Sequence, residues 1–256
     1  MRSRPFLLFV FALAACDAPP VDWGDPVAAS GESSGRLTVD SSAHVQFVRD
    51  SATAPLLNFP GVCPASVRTA GDSNRLRAVW WSLRPDSSAV LLMAASSDSG
   101  KTWGAPVKVD TADTGVHACA RPAPAIAAVG DDLHIAYSMT ASEGTGVFFA
   151  HFLSSMVHSP VAVIYGDRIV PTAIAAEGNR VAVAYEQPNG ARRQIGLALS
   201  SSQGHIFEVH TTASRDIDDA TDPGVAVAGN TIAVSWMSPR PGDTTSARVV
   251  RVGHIR

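Results

Sequence analysis

From about Arg36 onward, the chain is built of short runs in which apolar and polar positions alternate, broken by Gly-Asp or Gly-Asn. Three segments share one pattern: PAIAAVGDDLHIAYS from Pro124, PTAIAAEGNRVAVAYE from Pro171 and PGVAVAGNTIAVSWM from Pro223. Each has a proline, an apolar run of small residues, a glycine-led turn, an alternating run and then an aromatic. Gly130, Gly178 and Gly229 each precede their aromatic (Tyr137, Tyr185, Trp236) by seven residues. A fourth copy, PASVRTAGDSNRLRAVWW from Pro64, carries a small insertion after Gly71 and reaches its aromatic at Trp80. Glycine followed by Asp or Asn accepts positive φ, so each pair of runs predicts a β-hairpin. A polar loop and a third strand then follow: AVLLMAA, GVFFAHFL, QIGLALS and ARVVRVG.

The unit is therefore about fifty residues of antiparallel strands, present four times. A block that repeats at this length predicts an all-β fold, a β-propeller of four-stranded antiparallel blades, and not a sandwich. The last copy stops after its third strand at Arg256. An N-terminal strand is expected to complete it and cover the free edge, with RLTVD and AHVQFVRD as the candidates.

The turn SSDSGKTW follows the third strand of the first copy, and SSSQGHIF follows that of the third. They align without gaps: Ser96 with Ser200, Gly100 with Gly204, Trp103 with Phe207. Ser-x-Asp-x-Gly-x-Thr-Trp resembles the Asp box (BNR repeat) of sialidase-like β-propellers. The resemblance implies a structural box of Ser96, Asp98, Gly100, Thr102 and Trp103, joining the third and fourth strands of a blade. It also implies that this turn lies on the face opposite the usual ligand surface. Asp98 is expected to accept hydrogen bonds from the turn's own backbone, Gly100 to be left-handed, and Trp103 to pack between sheets.

Residues 1–15 read as a lipoprotein signal peptide, with Arg2 and Arg4 ahead of the apolar PFLLFVFALAA. Leu13-Ala14-Ala15-Cys16 resembles a bacterial lipobox, which implies a lipid on Cys16 and a membrane anchor in the cell envelope, on its periplasmic or extracellular face. Residues 16–35, rich in Pro, Gly, Ser and acidic side chains, predict a flexible tether, with the domain proper over 36–256. Cys63 and Cys119 then remain as an even pair in an exported chain, for which a disulfide is the default and two separate buried thiols the alternative. Both lie in loops leading into the innermost strands of consecutive blades, where propeller geometry brings neighbours together.

The net charge of -3 comes from interspersed residues, so there is no footprint for nucleic acid. Binding chemistry is expected around the channel mouth, on loops leading into innermost strands and loops between second and third strands. Arg121, Arg168 and Arg215 recur there at intervals of 47 residues. Three guanidiniums on one rim could hold a carboxylate or sulfate, and sialidases use an arginine triad in this way. Asp218, Asp222 and Glu186 complete the candidate ligand-binding set. The catalytic part of the family pattern is not matched. There is no Arg-Ile-Pro motif, Tyr137 and Tyr185 occupy a repeated strand position, and Tyr165 has no assignable base. Glu143 and Glu186 are the only glutamates in these loops. No catalytic residue, cofactor or metal is assigned. DIDDATD, with Asp216, Asp218, Asp219 and Asp222, reads either as a calcium loop or as carboxylates paired with Arg215. His117-x-Cys119 reads as a weak zinc signal against the disulfide. The function expected is a non-catalytic envelope module that binds a glycan or a protein partner. The alternatives are a scaffold subunit of an envelope membrane complex and a sialidase-type hydrolase.

Overall fold

The computed structural model describes residues 20–29, 35–48, 57–72, 75–239 and 246–256, nearly all in strands and turns. The signal segment and Cys16 lie outside the described residues. The strands β1 (Val21–Trp23), β2 (Val27–Ala28), β3 (Arg36–Val39) and β4 (Val45–Val48) precede the repeats. Blade I then comprises β5 (Arg68–Ala70), β6 (Leu76–Leu83), β7 (Ala89–Ser96) and β8 (Val107–Asp110), in that order across the sheet. Blade II has β9 (Ala125–Val129), β10 (Asp132–Ala141) and β11 (Gly144–Leu153), with β12 (Met156–Val157) and β13 (Val161–Tyr165) sharing the outer edge of β11. Blade III is β14 (Thr172–Glu177), β15 (Arg180–Asn189), β16 (Arg192–Ser200) and β17 (Val209–Thr212). Blade IV is β18 (Thr221–Ala228), β19 (Thr231–Pro239) and β20 (Ser246–Ile255). The fold is the expected all-β propeller with four repeated blades.

The first hairpin of blades II, III and IV turns at Gly130, Gly178 and Gly229, with φ of 59°, 56° and 54°. Only glycine takes that conformation without steric cost, which is why the repeat is legible at these points. The innermost strands are alanine-rich because they crowd toward one axis. Together with β3 they line a central cavity of about 1230 Å³. The core lies between blades. Trp81, Leu91 and Met93 of blade I meet Ile135, Tyr137 and Phe148 of blade II. Phe149 and Val163 meet Val183 and Tyr185 at the next junction. Ile195 and Leu197 of blade III meet Val234 and Trp236 of blade IV. The repeated aromatics Trp80, Tyr137, Tyr185 and Trp236 are all buried, as packing residues should be.

Completion of blade IV differs from expectation. Its outer edge is paired by β1 and β2, both from the segment read as tether, with Val21 opposite Ile255 and Val27 opposite Val250. Val21 is buried, and Arg251 lies over the Trp23 ring. Arg36–Val39 and Val45–Val48 instead pair with each other as a hairpin. The physical reason is local: Asp40 accepts the backbone N–H groups of Ser42 and His44, closing a short turn that brings the two runs together at little entropic cost. Leu37, Val39, Val45 and Phe47 pack on Ala226, Ala233 and Val252, so the hairpin stands beside blade IV as a partial fifth blade. On the other flank, Leu57, Phe59, Val62 and Trp103 cover the face of blade I around Trp80.

Cys63 and Cys119 form a disulfide with Cα atoms 5.4 Å apart, joining the loops that precede β5 and β9. Closing a loop across a separation of 56 residues contributes about 4 kcal/mol on the chain-entropy model.

Candidate functional site

The loops leading into the innermost strands share one face with the loops between second and third strands, and together they surround the cavity mouth. Their chemistry varies from blade to blade. Before β9 the loop is locked. Arg121 donates from Nε to the Ala118 carbonyl (2.8 Å), from Nη1 to Asp113 (2.9 Å) and from Nη2 to the Gly115 carbonyl (3.1 Å). Both side chains of the Arg121–Asp113 pair are 1% exposed. Asp113 also accepts the Ala89 N–H, Arg84 donates to the Asp113 carbonyl, and Trp81 lies beneath Arg121 while donating to the Pro122 carbonyl.

Arg121 is thus removed from the candidate ligand set. Each of its three nitrogens donates within its own loop, and the buried side chain is not presented at the cavity mouth. Arg168 is exposed beside Asp167, and Arg215 bonds Asp218. None of the three arginines lines the cavity. The recurrence at 47 residues places them at equivalent points of successive blades, yet each finds a different local partner, and no triad assembles.

Each carboxylate of DIDDATD is engaged by protein. Asp216 accepts from Gln194, Asp218 from the backbone and guanidinium of Arg215, Asp219 from Arg193 through Nε, Nη2 and the backbone, and Asp222 from Arg248. The Arg193 bonds hold the Asp219 carboxyl below the usual carboxylate range. This arrangement is the paired reading of the loop, and Arg215 takes the Asp218 part of it. His117-x-Cys119 cannot bind zinc through sulfur, because Cys119 is consumed by the disulfide.

Glu186 and Asp222 do come together. The Asp222 backbone N–H donates to Glu186 (2.9 Å), and Arg248 bridges the Asp222 carboxylate and its carbonyl. Asp222 lines the cavity, as do Arg36, Arg68 and Asp72. Asp222 sits at φ 52°, a costly conformation for a non-glycine residue, held by these bonds from both sides. Sequence reasoning missed Arg68, Arg193 and Arg248. Arg193 was visible in the GARRQ loop of blade III, but Arg68 and Arg248 have no counterpart in other copies and gave no signal.

Tyr137 donates to Asp110 within the core, and burial followed by that negative charge raises its pKa well above the ordinary value. Tyr185 is pushed up to about 12 by burial. Both rings are buried in the core, and neither lines the cavity. Tyr165 stands at the rim, edge-on to Phe148.

No protein-family model and no curated protein matches the sequence. Among solved structures, the chain is similar to the Hadza microbial sialidase Hz136 (13% identity, TM-score 0.47, 71% of this chain and 45% of that one). It is also similar to a sialidase of Trypanosoma rangeli (10%, 0.45, 86% and 39%) and to a xylan β-1,4-xylosidase of Bacillus halodurans (11%, 0.43, 91% and 52%). The chain spans between 39% and 52% of the lengths of these proteins.

Proposed function

We propose that the chain is a lipid-anchored envelope propeller whose mouth face docks a protein partner without catalysis. The observation that carries this reading is the placement of three exposed apolar side chains. Val116 (76% exposed), Tyr165 (55%) and Ile217 (66%) lie in or at the start of the loops leading into blades II, III and IV. Apolar tips on one face, with the exposed Arg168 and Arg215 close to them in sequence, supply the apolar and charged groups that a protein interface uses. Most glycosidases set a pair of carboxyl groups against the substrate, and sialidases set a tyrosine in place of one of them. Here Glu186 and Asp222 are both spent on protein donors, which supports a binding role. The anchor in this reading is the lipid on Cys16. The turn at 96–103 is read as an Asp box, a structural element on the far face.

The test is affinity purification from native membranes. A stoichiometric protein should be recovered with the wild-type chain and lost with Val116→Asp and Ile217→Asp. Equal recovery with both variants would reject the docking face. Cys16→Ser should move the protein to the soluble fraction. A second reading, a saccharide held in the central cavity, is favoured by the cavity's size. It predicts glycan binding that survives both rim substitutions and disappears in Ala127→Trp.

A further inference from the structure

On the face opposite the mouth, histidines from three places in the chain meet at the foot of the junction between blades II and III. His151 is buried near the end of β11, next to its register partner His134 on β10. His158 follows β12, and its N–H donates to the His151 carbonyl. His205 is exposed on the turn 200–207 of blade III. The ring centroids of His151 and His205 are 4.6 Å apart, those of His151 and His158 4.8 Å, and those of His158 and His205 5.9 Å.

Three imidazoles on one ion, with metal–nitrogen bonds of about 2.0–2.1 Å in tetrahedral geometry, place their centroids about 5 Å apart. Two sides of the observed triangle, 4.6 and 4.8 Å, are close to that spacing, and the third, between His158 and His205, is longer at 5.9 Å. A second observation concerns the central ring. His151 Nδ1 lies 2.9 Å from the Gln203 carbonyl oxygen. A carbonyl only accepts, so Nδ1 carries the proton and Nε2 keeps a free lone pair. Metal-binding histidines are oriented in this way by a carbonyl at the other nitrogen. Behind it, His134 is fully buried, and neither of its nitrogens has a hydrogen-bond partner among the described residues. The Asp132 carboxylate acts on both His134 and His151, adding negative charge to the cluster.

As they stand, no three His, Cys, Asp or Glu side chains among the described residues converge on one point. Closing a site would require the exposed His205 and half-buried His158 rings to turn toward His151, whose Nδ1 is held on the Gln203 carbonyl. We propose that His151, His158 and His205 form a site for a divalent transition-metal cation of the Zn²⁺ class, with a fourth position open to water. The ion would tie blade II to blade III on this face, much as the disulfide ties blade I to blade II on the other.

The experiment uses the tag-free chain, titrated calorimetrically with Zn²⁺ and followed by visible absorption with Co²⁺. One ion per chain should bind, and Co²⁺ should give the intense bands of tetrahedral coordination. His205→Ala and His158→Ala should each weaken Zn²⁺ binding at least about tenfold. Neither ring belongs to the fully buried core, so both variants should fold. His254→Ala, on an exposed position of β20, should leave binding unchanged. Absence of binding by the wild type at submillimolar Zn²⁺ would overturn the proposal, and so would undiminished binding by the His158→Ala, His205→Ala double variant.

Discussion

The turns 96–103 and 200–207 occupy equivalent places in blades I and III and share one backbone frame. In both, the first serine accepts the glycine N–H, Ser96 from Gly100 at 2.9 Å and Ser200 from Gly204 at 3.0 Å. In both, the residue before the glycine and the glycine itself have positive φ: 62° and 83° in the first, 57° and 87° in the second. They differ in what closes them. Asp98 accepts from Ser96, from the Thr102 N–H and from the Thr102 hydroxyl, so the first turn is tied to itself. With Ser202 at the matching position, the second keeps only weaker links to Ser200 and Ile206. It is tied outward instead, from Gln203 to the Asn179 carbonyl and to His151, and from the Ser201 N–H to Glu208. A turn that loses its carboxylate can survive if its neighbours take over the bonding, and its side chains are then free for another task.

The largest effect should come from Gly204→Ala. A Cβ there would lie 2.2 Å from the Phe149 ring, which is buried against Phe207 and cannot retreat. Strain from positive φ adds to the clash, so a loss of about 3–4 kcal/mol is expected in denaturant unfolding. Trp103→Ala should cost about 2–3 kcal/mol, since the ring covers only part of the cluster around Trp80. Its removal should leave partner recovery intact, because this turn faces away from the mouth. Gly100→Ala repeats the first change without the clash. Its Cβ would meet only Trp103 and Leu76 at 3.5 and 3.6 Å, so the φ strain alone, about 1–2 kcal/mol, should remain. If the two glycine variants lost equal stability, the outward packing of the second turn would be wrong.

The smallest effect is the most specific. The bonds from Thr102, then Ser96, hold the Asp98 carboxyl at about 2, below its ordinary value of 3.8. A depressed carboxylate stabilises the fold above its unfolded pKa, and that contribution is lost as pH falls from about 4 through about 2. Asp98→Ser, which copies the second turn, should lower the melting temperature slightly at pH 7 and flatten its decline over that acid range. An unchanged acid profile would show that Asp98 contributes nothing to the turn.

Much of the architecture was legible because it rests on local rules. Gly130, Gly178 and Gly229 mark turns that require positive φ, the alternating runs fix which face is buried, and Cys63 and Cys119 stand in equivalent loops of adjacent blades. The outer strand of blade IV was not legible. Val21–Trp23 is a three-residue strand among Pro, Gly and Asp, and its pairing with Gly253–Ile255 spans nearly the whole chain. Composition and periodicity see only neighbours, so a strand this short reads as tether.

The sequence alone determined the repeat, the propeller, the two matched turns and the cysteine pair, because hairpin geometry and side-chain alternation act over a few residues. Tertiary structure decided the rest. Arg121, Arg168 and Arg215 are equivalent in sequence, yet one is sealed against Asp113 and the other two are exposed, since each environment is built by a different loop. His151, His158 and His205 carry no common spacing or motif. They meet only because two blades pack side by side and bring the ends of separate strands together.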